Sequence, residues 1–458
     1  MKQLFSFLFS LFFFVETVFP QQKINSTKLK SILNDEQLRS SLVGAKVVSI
    51  KTGKTIFEMN SSKLLHPASV MKLFTTASAL YFLGKNFHVR TEVLFDEKRN
   101  VYIRGFGDAI LRTEHYDTLA KKVAKQGIKN VENIVVDVSY FDDMHWGKGW
   151  MWDDEPDASA MYITPLCING NSVDVFVTPK NVGEKPNVEL EPTSSFFSLL
   201  NEAVTVQKID KQRPKFEITR KWKERENTII VKGQFLSVSA RDTFELNVWK
   251  PELYAATIFK ERLKAHGVQG NGEIQIGNTY GKKIATFFHP LDSLIFKANK
   301  ESDNLCAENL LKILAAEKNM IPAVADSGIE LEKKFSATIG IDTSKIVIAD
   351  GSGVSDYNLV SVNNLIAVLL HQFNQRQTFS AYKISLPIAG NDGTLKNRMR
   401  GTSAEGKVFA KTGTKRGVSS LAGYVGDEYA FAIIINHYYG EAKVLRAIID
   451  KFVLELVK

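Results

Sequence analysis

The chain has 458 residues, of which 44% are hydrophobic and 24% charged, and its net charge is +9. This length exceeds one ordinary hydrophobic core and predicts two or three domains, while the balance of apolar and charged residues excludes intrinsic disorder. Two cysteines exclude a disulfide framework and a cysteine-rich zinc site, and the absence of basic runs interleaved with aromatic residues argues against a nucleic-acid partner.

The first 20 residues predict an export signal. Lys2 is followed by a mostly apolar run of twelve residues from Leu4 to Val15. This run is shorter than the roughly 20 residues that a membrane-spanning helix needs. We therefore expect residues 1–20 to be a secretory signal peptide. An uncleaved membrane anchor is the alternative interpretation.

The next elements are a hairpin and a helix. Two β-rich runs within residues 45–59 flank a turn at Gly53, which predicts a β-hairpin. An apolar segment then begins near Pro67 and ends at Gly84, as expected for a helix with proline near its start and glycine after its end.

Changes in composition divide the rest of the chain. Residues 88–285 are strand-rich and predict a large inserted domain, with two subdomains, between the segments 21–87 and 286–458 of one discontinuous catalytic domain. The second segment contains a predicted helix over 305–316, three strands from 407 to 436, and an amphipathic helix over 441–457. We expect an α/β (α+β) fold with an antiparallel sheet covered by helices.

Three short motifs supply the chemistry: Ser69-Val70-Met71-Lys72, Ser302-Asp303-Asn304 and Lys411-Thr412-Gly413-Thr414. Residues three apart on a helix share a face, so the Lys72 amine can reach Ser69 Oγ and, when neutral, act as its base. Burial and a nearby Lys411 would both lower the pKa of Lys72. Gly413 would let a substrate backbone lie close to its strand, and the Thr414 amide could face an oxyanion. The ordered set indicates acyl transfer.

Each motif also has an imitation elsewhere in the chain. Ser380-Ala381-Tyr382-Lys383 repeats the first spacing, Ser361-Val362-Asn363 imitates the second, and Lys51-Thr52-Gly53 repeats the third. A single motif of this kind is more often structural than catalytic, and the copy at Lys51 belongs to the predicted hairpin turn. Order and context distinguish the catalytic set.

With these motifs the chain resembles the penicillin-recognising serine hydrolases. Within them it is similar to the class C low-molecular-mass penicillin-binding proteins, the D-Ala-D-Ala carboxypeptidase/endopeptidases of peptidase family S13. The resemblance includes Asp350-Gly351-Ser352-Gly353-Val354-Ser355, Leu386-Pro387-Ile388-Ala389-Gly390 and the segment 406–414. Ser69 and Ser302 lie 233 residues apart, which leaves room for an inserted domain, as in that family.

The resemblance implies a β-lactamase/transpeptidase-like fold and a periplasmic, bacterial enzyme without a cofactor. Its substrates would be peptidoglycan stem peptides, and β-lactam antibiotics would inhibit it covalently. No His-Glu-x-x-His motif suggests a catalytic metal. The basic balance predicts a solvated surface, with some attraction to acidic cell-wall peptides and to anionic lipid headgroups through peripheral membrane association.

By resemblance, Ser69 attacks the carbonyl of the penultimate D-alanine and Lys72 takes its proton. The backbone amides of Ser69 and Thr414 would hold the oxyanion. Ser302 would relay the proton to the leaving amine, and Asn304 would bind the substrate backbone. The alternative role for Asn304 is a helix cap.

The same resemblance implies the groups that recognise the substrate. Lys411 would orient the serine of the second motif and attract the terminal carboxylate, which Thr412 and Thr414 would bind. Asp154, in Trp152-Asp153-Asp154, would bind the free amine of the stem-peptide diamino acid, and Tyr162 would be the aromatic residue of that pocket.

Asp356 departs from the family pattern, which commonly has an arginine there to meet a substrate carboxylate. Either the substrate lacks that charge, or another basic residue supplies it, or Asp356 caps a turn. A β-lactamase is the second functional hypothesis and a non-catalytic wall-binding protein the third. Cys167 and Cys306 could pair only if the insertion folds back onto the catalytic core.

Overall fold

The computed structural model describes residues 24–270 and 272–457. The predicted signal peptide, residues 1–20, lies outside this part of the chain. Among the described helices, none combines the length and the apolar character needed to cross a membrane.

The described chain alternates helices and strands. The helices are α1 (Ser26–Leu33), α2 (Lys72–Leu83), α3 (Thr113–Lys125), α4 (Pro251–Ala265), α5 (Leu291–Lys300), α6 (Asn304–Ala316), α7 (Ala325–Thr338), α8 (Val362–Asn374), α9 (Phe379–Ser385) and α10 (Ala442–Leu454). The strands are β1 (Leu42–Ser49), β2 (Thr55–Met59), β3 (His88–Phe95), β4 (Val101–Gly105), β5 (Ile134–Asp137), β6 (Ser172–Thr178), β7 (Asn187–Glu191), β8 (Ser198–Val206), β9 (Glu217–Arg220), β10 (Thr228–Leu236), β11 (Asp242–Asn247), β12 (Ile274–Ile276), β13 (Lys282–Pro290), β14 (Val408–Lys415), β15 (Val418–Val425) and β16 (Tyr429–Asn436).

One antiparallel sheet joins the two ends of the chain. Its strand order is β14-β15-β16-β1-β2, so strands near the N-terminus pair with strands near the C-terminus. The register aligns Ala45 with Ile433. The β1–β2 hairpin confirms the predicted turn, in which Gly53 adopts a φ of +68°.

Helices cover both faces of this sheet. As a result, β15 and β16 are buried along their whole length. Phe431, Ile433 and Ile435 pack with α1 and α10, whereas the alternate residues Ala432 and Ile434 pack with α2, α5, α6 and α8. Side chains of a strand alternate between faces, so two apolar faces require two helical layers. This arrangement confirms the predicted fold class.

Residues between β2 and α5 form three further sheets around a second core. Their strand orders are β12-β5-β4-β3-β13, β11-β6-β7 and β8-β10-β9, and α3 and α4 pack with them. The division of the chain into a catalytic domain and an insertion at 88–285 remains a prediction. Strand β13 continues past that limit to Pro290.

Helix α6 connects this second group of sheets with the helices around the first. The Asn309 amide donates to the carbonyls of Gly107 and Thr164, each at 3.1 Å, and Lys312 pairs with Asp142 at 2.5 Å. Because α6 begins with the second sequence motif, these contacts fix that motif relative to both parts of the chain.

Candidate active site

Ser69 and Lys72 meet as their spacing predicts, although the local structure differs from a regular helix. The helix predicted to begin near Pro67 and end at Gly84 is present, but its first turn, Ala68–Met71, is 3₁₀ and α2 begins at Lys72. Ala68 adopts a φ of +50°, and this bend precedes Ser69. Lys72 Nζ lies 3.0 Å from Ser69 Oγ.

Two carbonyl oxygens fix the Lys72 amine from its other side. Nζ donates to Asn304 Oδ1 at 2.6 Å and to the backbone oxygen of Ser352 at 2.7 Å. A neutral amine has two N–H donors and one lone pair. Because these two acceptors use both donors, the lone pair of neutral Lys72 is left for the hydroxyl of Ser69.

Burial adjusts Lys72 for this role. The side chain has no exposed surface, and its desolvation lowers the pKa of Lys72 to about 8, against the opposing influence of Asp350, Glu308 and Asp303. Burial also holds the pKa of Lys411 well below its usual value, and repulsion by Lys72 lowers it further. A substantial fraction of Lys72 is therefore neutral near physiological pH.

The second and third motifs meet at a hydroxyl. Lys411 Nζ donates to Ser302 Oγ at 2.8 Å and to the backbone oxygen of Thr412 at 2.9 Å. Ser302 itself has a φ of +65°, which costs a residue with a Cβ about 1–2 kcal/mol. Non-glycine residues held in this region cluster at functional sites.

Asn304 connects Lys72 to the loop that precedes β6. Its Oδ1 accepts from Lys72, and its Nδ2 donates to the Ser159 carbonyl at 2.7 Å. The N-cap of α6 is Asp303, which accepts from Cys306 N at 2.7 Å. The alternative role of Asn304 as a helix cap is therefore wrong.

The third motif forms the second half of β14, which ends one residue later at Lys415. The half of β14 before the motif pairs with residues 387–389, where Ala410 N donates to the Pro387 oxygen at 2.9 Å. From Lys411 onward the described structure has no strand on that side. Alternate backbone groups of this edge are therefore available to an extended peptide.

Gly413 lets the edge of β14 lie close to the turn that contains Ser69. A Cβ at Gly413 would lie 2.8 Å from the Pro67 oxygen and 3.0 Å from Ser69 N. The close approach that glycine permits is therefore to the protein's own turn, not only to a substrate. Thr412 is buried with its hydroxyl 2.7 Å from that of Thr394, whereas Thr414 is exposed.

Three buried carboxyl groups, those of Glu308, Glu332 and Asp350, lie in the core near Lys72, and none was predicted as a site residue from the sequence. Glu308 accepts from the amides of Gly351 and Ser352 at 3.1 and 2.8 Å. Asp350 accepts from Trp150 Nε1 at 2.9 Å and from Asn358 Nδ2 at 2.6 Å.

Glu332 completes this group without any hydrogen-bond partner for its carboxylate oxygens among the described residues. Burial raises the pKa of Glu332 well above its usual value, with repulsion from Glu308 and Asp350 adding to the shift. Burial and then Asp350 raise the pKa of Glu308 to about 7. Burial therefore favours the protonated form of Glu332, and it brings the titration of Glu308 close to neutral pH.

The two residues predicted for the amine pocket, Asp154 and Tyr162, do not contact each other in the structure. Asp154 is half-buried, and its Oδ2 accepts from Met151 N at 2.8 Å. Tyr162 is buried, donates to Glu155, and lines a pocket that includes Trp152 but not Asp154. The structure thus places Asp154 and Tyr162 on the same loop without bringing their functional groups together.

Asp356 forms an ion pair with Lys415. Its Oδ1 lies 2.7 Å from Lys415 Nζ, and both side chains are accessible to solvent. Lys415 is the last residue of β14. Asp356 therefore pairs with a cation directly after the third motif, and which of the three interpretations of Asp356 holds stays a prediction.

The imitation motifs have structural roles. Ser361 caps α8 and accepts from Asn364 N, while Lys383 of the second Ser-x-x-Lys pairs with Asp427 at 2.5 Å. Lys51 is exposed in the hairpin turn. Cys167 and Cys306 are both buried free thiols, so they do not pair.

Some of the missed residues had a signal in the sequence. Glu308 follows Asn304 by four positions on a helix that is otherwise mostly apolar, so the two share a face. Asp350 opens the Asp-Gly-Ser-Gly segment already used for the family resemblance. The Ser159 carbonyl had no signal, because any residue can supply a backbone oxygen.

The family comparison agrees with this geometry. The model of the D-Ala-D-Ala carboxypeptidase 3 (S13) family matches residues 25–456. The chain belongs to this family. Its membership confirms the predicted resemblance and the prediction of a D-Ala-D-Ala carboxypeptidase. The roles of the individual residues remain predictions.

Two relatives describe the similarity further. A D-alanyl-D-alanine carboxypeptidase of Actinomadura sp. (strain R39) is 33% identical over 447 residues, covering 90% of this chain and 81% of the relative. The crystal structure of penicillin binding protein 4 from Haemophilus influenzae matches with a TM-score of 0.82 and 26% identity, over 95% of this chain and 100% of that one. A structure of the same Haemophilus protein complexed with a β-lactam has a TM-score of 0.77 and 25% identity, over 94% and 98%.

Proposed function

We propose that this enzyme removes the terminal D-alanine from peptidoglycan stem peptides in the bacterial periplasm, through an acyl-enzyme on Ser69. The observation that carries the proposal is the environment of Lys72. Its two N–H donors are directed to Asn304 and Ser352, and its lone pair is left for the Ser69 hydroxyl 3.0 Å away.

The first step transfers the Ser69 proton to Lys72 Nζ while Oγ bonds to the carbonyl carbon of the penultimate D-alanine. The carbonyl electrons move onto its oxygen, and the backbone amides of Ser69 and Thr414 stabilise that oxyanion. The open edge of β14 supports this placement, since the substrate can add there as an extended strand.

The second step breaks the C–N bond and needs a proton on the leaving amine. Lys72 now carries that proton, and Ser302 relays it, with Lys411 orienting the Ser302 hydroxyl at 2.8 Å. The Asn304 amide has a second N–H besides the one given to Ser159, and this N–H is available to the substrate backbone. Water then adds to the acyl carbonyl and releases the shortened peptide.

Recognition at the two ends of the substrate follows from charge. Lys411 attracts the terminal carboxylate, which Thr412 and Thr414 hydrogen-bond. Asp154 binds the free amine of the diamino acid. β-Lactams acylate Ser69 because they mimic the same dipeptide, and the β-lactam complex of the Haemophilus relative supports this expectation.

The same acyl transfer would cut a cross-link, because both bonds join an acyl group to the same D-alanine. We therefore include DD-endopeptidase activity in the proposal. The test is digestion of purified peptidoglycan with the wild-type enzyme and with Ser69→Ala, followed by separation of the fragments by mass. Free D-alanine shows carboxypeptidase activity, and conversion of dimers to monomers shows endopeptidase activity. The proposal would be contradicted if the wild-type enzyme cut neither the terminal D-alanine bond nor the cross-link.

A further inference from the structure

An open pocket lined by aromatic side chains lies beside the loop that reaches Asn304. It has a volume of about 350 Å³. We call it the aromatic pocket, and its rings are those of Trp146, Trp152, Tyr162, Trp222 and Trp249. Four of the five tryptophans in the chain therefore line one surface depression.

The rings form two groups in contact within the pocket. Trp152 and Trp222 have ring centroids 5.7 Å apart, and Tyr162 lies 5.4 Å from Trp146 and 4.9 Å from Trp249. Trp152 is 69% exposed. Large aromatic surfaces left open to solvent in this way mark binding sites more often than packing.

The charges around the aromatic pocket select against a cationic ligand. The carboxylate that lines the pocket belongs to Glu155. It is already paired with buried Arg220 at 2.7 Å and accepts a hydrogen bond from the Tyr162 hydroxyl. Lys223 and Arg225 lie over the rings of Trp222 and Trp249, at 5.4 and 5.1 Å from their centroids. An ammonium group would meet two cations and a neutralised carboxylate.

The aromatic pocket shares Tyr162 with the amine site proposed at Asp154, but the Asp154 carboxylate is not part of its lining. A suitable ligand has flat apolar faces, acceptor oxygens and no positive charge. Acetylated amino sugars have all three properties, since the axial C–H groups of a pyranose ring stack on indole and its carbonyl oxygens accept from lysine and arginine.

The position of the aromatic pocket fits one substrate that reaches both sites. Glu155 lines the pocket, and the Ser159 carbonyl accepts from Asn304 Nδ2 at 2.7 Å. Four residues of chain span at most about 14 Å. In peptidoglycan, roughly four amino acids separate the sugar from the D-alanine carbonyl that Ser69 attacks, and they have a similar extended length.

We propose that the aromatic pocket is a subsite for the glycan strand that carries the stem peptide. This inference rests on the proposed function of Ser69 and adds a second point of contact for the polymer. The sugar rings stack on Trp152 and Trp222, and Lys223 and Arg225 donate to their acetamido carbonyl oxygens. The enzyme then recognises a peptide attached to its glycan better than the same peptide alone.

The test compares two substrates with the same scissile bond: a disaccharide-pentapeptide and the N-acetylated pentapeptide without sugar. We expect the wild type to have about a tenfold higher kcat/KM for the first, mainly through a lower KM. Trp222→Ala, and separately Trp152→Ala, should bring this ratio close to one. Tyr280→Ala is the matched control, because Tyr280 is 65% exposed and lies outside the pocket.

Each outcome is decisive. A wild-type ratio near one refutes the subsite while leaving the carboxypeptidase intact, whereas no turnover of either substrate refutes the proposed function. An equal loss on both substrates in Trp222→Ala would mean that the pocket binds peptide. As a second measurement, a β-1,4-linked N-acetylglucosamine oligomer should quench tryptophan fluorescence in Ser69→Ala, and the Trp222→Ala/Ser69→Ala protein should lose that response. Unchanged fluorescence in the Ser69→Ala protein would count against the subsite.

Discussion

Replacing Glu308 by glutamine should shift the pH dependence of the enzyme to lower pH. Neutral Lys72 is the proposed base, so kcat/KM of the free enzyme rises with pH through the pKa of Lys72, which is about 8. The Glu308 carboxylate raises that pKa by attraction. Glutamine removes the charge but keeps an oxygen that can accept from the Gly351 and Ser352 amides.

The size of the shift follows from the contacts. Lys72 Nζ lies 2.7 Å from the Ser352 oxygen, and Ser352 N lies 2.8 Å from Glu308 Oε1. Ser352 therefore bridges the two groups through its backbone oxygen and nitrogen. This bridge separates the Lys72 ammonium from the Glu308 carboxylate by about 6–9 Å. At an effective dielectric constant of about 20 their attraction is about 2 kcal/mol, which corresponds to roughly 1–1.5 pH units. Glu308 is charged above about pH 7, so its charge is present where Lys72 titrates.

The assay is kcat/KM for a D-Ala-D-Ala peptide between pH 6 and 10 (about one decade of rate per unit on the rising limb). Its midpoint should fall by about one unit in Glu308→Gln. Glu332→Gln is the control, because Glu332 is equally buried but is not among the carboxylates that raise the pKa of Lys72, so its replacement should not move the midpoint. A midpoint that stays or rises in Glu308→Gln, or that falls equally in both variants, would refute the reasoning.

Three further predictions concern the site. Lys72→Ala should remove nearly all turnover of a D-Ala-D-Ala peptide while Ser380→Ala, in the imitation motif, keeps it; equal activities would contradict the assignment of the base. Asp154→Asn should lower kcat/KM for substrates with a free side-chain amine but not for the acetylated peptide, with a loss of transition-state stabilisation of about 1.5–3 kcal/mol. Equal losses for both substrates would make Asp154 structural. Asp356→Arg breaks the pair with Lys415 and should favour substrates with a free carboxylate on the diamino acid; unchanged preference would place Asp356 outside the substrate site.

The sequence predicted the elements of the catalytic region well because their signals are local. Glycine at Gly53 and Gly84, proline at Pro67 and strand-forming runs determine where the chain turns. The predicted helix over 305–316 is α6, Asn304–Ala316, and the predicted helix over 441–457 is shorter, Ala442–Leu454. Helix ends fray, and this accounts for the difference at the C-terminus.

Features that depend on tertiary contacts were not predictable in the same way. The family resemblance implied that Lys411 orients the Ser302 hydroxyl, but the pairing of residues 387–389 with half of β14 decides which part of the edge stays open. Burial of Glu332 is likewise a property of the assembled helices. The aromatic pocket gathers tryptophans from positions 146 to 249, a separation at which sequence offers no contact signal.

The central claim, a Ser69 nucleophile activated by Lys72, is tested most directly by mass spectrometry of the intact protein after incubation with penicillin. The tethered leaving group of the opened ring blocks water, and the chain lacks a Glu-x-x-Leu-Asn deacylation motif after Ser302, so the acyl-enzyme should accumulate. We expect one added antibiotic mass, located on the peptide that contains Ser69 and absent from Ser69→Ala. Rapid turnover of penicillin without an adduct would instead indicate a β-lactamase, and an adduct on any other residue would contradict the assignment of Ser69.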